Sequence, residues 1–162
     1  MMPFIGIISD ENIEKKNIKK HISEKLNIKK EQLIDISEKN ILNIKNIKFE
    51  TVVITRDFKN NELIKTILKD AKYIIINSDL DSNLKLVGNM ESRIITYGFN
   101  SKATVTASSV NDEEIFLCIQ RNVKGKNNMI IEPQELKVDI VGNVNYTMAI
   151  YSLLLIYEKI IL

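Results

Sequence analysis

The stretch TVVITRDFKNNELIKTILKDAKYIIINSD, residues 51 to 79, constrains the fold more than any other. Its two ends, TVVIT (51 to 55) and KYIIINSD (72 to 79), are short runs rich in β-branched residues without polar alternation, the pattern of strands buried on both faces. Between them, NNELIKTILKDA (60 to 71) reads as an amphipathic helix capped by an Asn. Apolar strands that alternate with helices imply a parallel sheet covered on both sides.

The rest of the first half fits the same scheme. FIGIIS (4 to 9) is a further apolar run, and Ile18, Ile22 and Leu26 recur at helical spacing in a helix ending near Asn27. QLIDIS (32 to 37) alternates weakly, as a strand can, and ISEKNILNIKNI fits either element. In the second half LKLVGN, SRIITYGFN, KATVTASSV, EIFLCIQ and ELKVDIV read as short strands separated by the turn residues GN, FNS, NDEE and KGKNN, which predicts hairpins. From Asn145, NYTMAIYSLLLIYEKIIL is apolar nearly all round, so its helix must be buried against its own domain or another chain. The expected fold is α/β: a mostly parallel, Rossmann-like sheet with helices on both faces, a small antiparallel unit and a C-terminal apolar helix. We expect one domain over 1–162, with an alternating half at 1–80, antiparallel strands at 81–141 and the helix at 142–162.

With 162 residues the chain can bury roughly 70% of its unfolded surface in a single core. Its 23 basic and 21 acidic side chains leave no long-range field for nucleic acid or anionic lipid, so neither is an expected partner. Acidic residues interrupt the basic run KKNIKKHISEK, which reads as a solvated helix face. Cys118 alone cannot form an internal disulfide or a cysteine-based metal site, and within IFLCIQ it reads as buried packing. His21, the single histidine, lies among lysines and reads as a surface residue. The N-terminus lacks a basic segment before its apolar run, which predicts a cytoplasmic protein. The longest apolar run, MAIYSLLLIY, is shorter than the ~20 residues of a membrane span, and Glu158 and Lys159 follow it.

YIIINSD with Asp81, RIITYGFNSKATVTASSV, EIFLCIQ and DIVGNVNYTMAIYSLLL resemble, in that order, the latter half of the central domain of Mur ligases. These are the ATP-dependent amino-acid-adding enzymes of peptidoglycan synthesis, a group that includes folylpolyglutamate synthase relatives. In that family an "NADD"-like turn leads to an "ITFG" or "ITYG" strand, a small antiparallel sheet and a "GxHNxxNALAA" turn that opens a helix. FIGIISDENIEKK falls where the family has its "IGITGTNGKTT" strand and phosphate loop, and FETVVITRDF where a strand carries a metal-binding Glu. The resemblance implies a shortened central domain, without the UDP-sugar and amino-acid-binding domains of the enzymes.

The departures from that pattern bear on chemistry. A phosphate loop uses glycines to turn backbone N–H groups toward phosphate, a lysine for charge and a hydroxyl for magnesium. Here the turn reads Ser9, Asp10, Glu11, Asn12, Ile13, Glu14, in which acids oppose phosphate but complement a helix N-terminus. Asp10 and Glu11, with Asp57, are alternatively candidates for an acidic magnesium pocket at the strand ends, of the kind response-regulator receivers use. Such a receiver needs a regular five-fold strand-helix pattern, which the second half is expected to break.

Thr55 falls near the place of the metal-binding Glu, Val144 at that of the family's His, and Met148 at that of its second Asn. Gly142 and Asn145 match, and the resemblance implies adenine binding for Asn145; a helix N-cap is its other reading. Asp79 and Asp81 read as turn residues, and Gly98 as a turn or bulge. No catalytic residue is assigned and no cofactor is expected, with ATP and magnesium implied only if an atypical site, or one completed by a partner, works as a ligase. The expected function is that of a catalytically inactive Mur-ligase-like protein with a binding or regulatory role, the alternatives being such an ATP-binding enzyme or a structural interaction module. A homo-oligomer or a protein partner bound through the C-terminal helix is expected.

Overall fold

The computed structural model describes residues 3–9 and 14–160. The apolar runs of the first half become parallel strands: β1 (Ile5–Ile8), β2 (Leu33–Asp35), β3 (Thr51–Ile54) and β4 (Tyr73–Asn77), joined by β5 (Arg93–Tyr97). Between them lie α1 (Glu14–Leu26), α2 (Ile41–Ile44), α3 (Asn61–Leu68) and α4 (Asp81–Val87). In space these strands run β5-β4-β3-β1-β2, so the chain winds outward from β1 to β2 and then returns to β3 on the other side. This is the flavodoxin-like doubly wound order, with its switch point between β1 and β3.

Alternation along each strand divides the core in two. Ile7, Val53, Ile75 and Ile95 face α1, where Ile18, Ile22 and Leu26 meet them. Ile8, Val52, Ile54, Ile74 and Ile76 face the opposite way, against Ile41, Ile64, Ile67, Leu68, Leu86 and Val87 of α2, α3 and α4. Asn60 caps α3 as predicted, its side chain accepting from the Leu63 N–H.

The second half departs from expectation. LKLVGN is not a strand: Leu84, Lys85, Leu86 and Val87 belong to α4. Leu84 and Leu86 alternate with polar residues as a strand would, but α4 buries Asn83, Leu86 and Val87 and leaves Leu84 exposed. SRIITY supplies β5 to the parallel sheet, so the antiparallel strands begin at Val105 and not at residue 81. Val105, the first residue of β6 (Val105–Val110), pairs in parallel with Tyr97, the last of β5, so β6 runs on past the carboxyl end of β5. β7 (Glu114–Ile119) pairs antiparallel with β6, and beyond two short strands, β8 (Val123–Lys124) and β9 (Ile130–Ile131), β10 (Gln134–Asp139) pairs antiparallel with β7. β6, β7 and β10 extend the same sheet to eight strands among the described residues, while β8 and β9 form a separate two-stranded sheet.

α5 (Val144–Ile156) closes the α1 face. Ten of its thirteen residues are buried within this chain. Past its end, the Tyr157 hydroxyl contacts Thr51 (3.0 Å) and donates to Glu50 (2.8 Å), and Lys126 pairs with the same carboxylate at 2.8 Å. Glu158 accepts from the Asn127 and Met129 N–H groups, which fastens the β8-β9 hairpin to the helix end.

Two single residues also differ from their readings. Cys118 is half-buried, opposite Thr106 on one neighbouring strand and Glu135 on the other. Ile115, Leu117 and Ile119 of β7 face the core, so strand alternation turns Cys118 to the other side of the sheet. His21 is half-buried rather than on the surface. Its Nε2 is enclosed without a hydrogen-bond partner among the described residues, and burial, with Lys25 one turn on, lowers its pKa. No helix among the described residues is long and apolar enough to cross a membrane.

Candidate functional site

Loops that follow parallel strands all emerge at one edge of the sheet, and in open α/β sheets the crevice at the switch point is the usual ligand position. Here that edge gathers Ser9 after β1, Glu38 after β2, Thr55 to Phe58 after β3, Ser78 and Asp79 after β4, and Gly98 to Asn100 after β5. At the switch point Thr55 closes the seam between β3 and β1, its N–H and hydroxyl donating to the Ile8 carbonyl at 2.9 and 2.7 Å.

Arg56 spans the crevice. Its Nε donates to the Ser9 carbonyl (3.2 Å), one terminal nitrogen to Glu38 (2.9 Å) and the Asp57 carbonyl (2.6 Å), and the other to Glu38 again (2.9 Å). The Lys59 N–H also donates to Glu38 (3.2 Å), and the guanidinium carbon lies 5.7 Å from the centre of the Phe58 ring. The fork-to-carboxylate geometry is that of a strong, orienting pair. It holds the Glu38 carboxyl down at about 2, with the Arg56 hydrogen bonds as the chief cause.

A depressed carboxyl pKa stabilises the fold above the unfolded-state value and loses that contribution as pH falls through the folded one. Stability is therefore expected to fall from about pH 5 to about pH 2, and less steeply in Glu38→Gln. Urea denaturation of both proteins across that range checks this. At pH 7 the substitution is expected to cost no more than about 1 kcal/mol, because the pair is partly solvated.

A second brace lies beside it. The Asp79 carboxylate accepts from the Phe99 N–H (2.8 Å), the Asn100 N–H (3.0 Å) and the Asn100 side chain (2.8 Å), which also donates to Ser78 (2.7 Å). Burial pushes the Asp79 pKa up, but these donors outweigh it and the net direction is down. Gly98 makes the brace possible: its φ is +152°, and a Cβ there would lie 2.8 Å from the Asp79 carboxylate.

Beneath the crevice, Ser9 is 5% exposed and its hydroxyl has no hydrogen-bond partner among the described residues. It borders a cavity of about 20 Å³ lined by Ile7, Ile18, Thr55, Tyr146 and Leu153 among others, room for about one water molecule.

Among the described residues, those singled out from sequence do not converge. Asp10 and Glu11 lie outside the described residues. Asp57 is exposed and accepts a hydrogen bond from Ser82 of α4. Among the described residues no group of three or more His, Cys, Asp or Glu side chains is placed to hold a metal ion. Asn145 is exposed in the first turn of α5 and is not its cap; Asn143 is, accepting from the Tyr146 N–H at 2.8 Å. Val144 is half-buried, and Met148 lies fully within the core. The regular strand-helix alternation, expected to fail in the second half, continues through α4 to β5. No protein-family model matches the chain, and a search of curated proteins finds no relative.

Proposed function

We propose that the chain is a catalytically inactive, cytoplasmic Mur-ligase-like domain with a binding or regulatory role linked to peptidoglycan synthesis. The observation that carries this reading is the Arg56–Glu38 pair across the switch point. Arg56, the cation that spans the crevice, is committed to a carboxylate and two backbone carbonyls instead of being presented to a phosphate. The apolar setting of Val144 and Met148, where the family has His and Asn, supports the same reading.

Thermal unfolding with ligands tests it. A ligand at 100 times its dissociation constant stabilises a fold by about 2.7 kcal/mol, which is roughly 5 to 10 °C for a chain of this size. Neither ATP with magnesium nor a UDP-linked sugar is expected to move the midpoint. A shift of several degrees with ATP and magnesium would favour the ligase-like enzyme instead. A response to magnesium alone, lost in Asp10→Asn, would favour the acidic pocket.

A further inference from the structure

The sheet has two edges, and they differ. β2 offers three residues, and Asp35 at its end is held by Lys19 at 2.7 Å. β10 offers six, QELKVD, with no proline and an unbroken register against β7 from Gln134 opposite Ile119 to Asp139 opposite Glu114. The Ile140 N–H donates to the Glu113 carbonyl on the continuation of that register. Even-numbered residues of β10 therefore turn their backbone groups toward β7, and Glu135, Lys137 and Asp139 turn theirs outward. Their side chains are exposed, while Leu136 and Val138 point to the core side and are partly covered.

We propose that β10 pairs antiparallel with β10 of a second copy, with Glu135 opposite Lys137 in both directions. An outward-facing residue must pair with another outward-facing residue, which limits the registers. Centring the pair on Lys137 would set lysine against lysine and Glu135 against Asp139, like charges at every contact. Centring it on Leu136 aligns 134–138 of both copies and sets Glu135 against Lys137 twice. It also places Leu136 beside its own copy at the two-fold axis, on the core side. A register centred on Val138 pairs Lys137 with Asp139 but aligns only the last three residues of the strand.

The charge pattern selects the occupant. A foreign strand would have to bring an acid and a base at the same spacing, whereas a second copy supplies them by symmetry. Lys137 already lies 3.1 Å from Glu114, so Glu135 of the second copy would complete a carboxylate-lysine-carboxylate row. Lys25 and Lys159 border the groove beneath the edge and are exposed, so their ammonium groups can stay in water. The pairing uses neither Arg56 nor the carboxyl edge, and it stands or falls independently of the ligase-like reading.

A strand-to-strand contact this short is small for a protein interface, and the dimer is a weak one. Sedimentation velocity on the full chain from about 5 to about 500 µM at low salt is expected to show monomer passing into dimer. Glu135→Lys and Lys137→Glu should each weaken association by about tenfold or more, and the double exchange should restore it. Asp139→Lys should leave it unchanged, which separates the register on Leu136 from that on Val138. Far-UV circular dichroism confirms that each variant is folded. A monomer at every concentration, a dimer indifferent to the single reversals, or a double exchange that fails to restore it would each overturn the proposal.

Discussion

Leu153→Ala is expected to lower the free energy of unfolding by about 3 to 5 kcal/mol. Leu153 is fully buried in α5, in the cluster where the helix meets the sheet. Truncating a buried leucine loses its transfer free energy and adds a cavity term, and the total depends on how far the surroundings collapse. Here the deleted atoms border an existing cavity of about 20 Å³, so the void would grow instead of opening anew. The rigid strand residues Ile7 and Val53 on its wall have little freedom to fill it. Against a typical total of about 5 to 15 kcal/mol, this is a large share. Urea unfolding should show a lower midpoint at an unchanged slope. A loss below about 1 kcal/mol would contradict the docking of α5 described above.

Gly98→Ala is the second large effect, expected at about 2 to 4 kcal/mol. A methyl group at φ +152° is strained in itself, and 2.8 Å from the Asp79 carboxylate it must displace that group. The acceptor of three N–H bonds from residues 99 and 100 is then lost. A double-mutant cycle isolates the mechanism: with Asp79→Ala already in place, Gly98→Ala should cost markedly less. Equal costs in the two backgrounds would mean that backbone strain alone carries the effect.

The parts of the fold legible in the sequence were those fixed by long or pure signals. TVVI and YIIIN are buried on both faces and admit one reading, and Asn60 precedes a helix with a clear apolar stripe. α4 escaped because seven residues span two turns, in which Leu84 and Leu86 around Lys85 imitate strand alternation. The cap of α5 was misplaced because GNVN offers two asparagines, and only the backbone decides between them: Asn143 is extended and Asn145 is already helical. The candidate site was least legible. Arg56 and Glu38 are 18 residues apart, and their strands are separated in the sheet by β1. The available signal was that both follow strands of a parallel sheet, whose trailing loops share one edge.

The place of α5 in the chain order has a consequence for biosynthesis. α1 and α5 lie over the same side of the sheet, yet seven of its strands and three helices, from β2 onward, are translated between them, together with the β8-β9 hairpin. A growing chain can wind β1 to β5 and cover the α2-α4 side while still on the ribosome, because those contacts join neighbouring segments. The other side, with Ile75, Ile95, Leu117 and Ile119, remains without its second helix until Val144–Ile156 has emerged. Emergence of α5 thus closes the apolar layer, and until then the nascent chain presents a surface suited to chaperones or to aggregation.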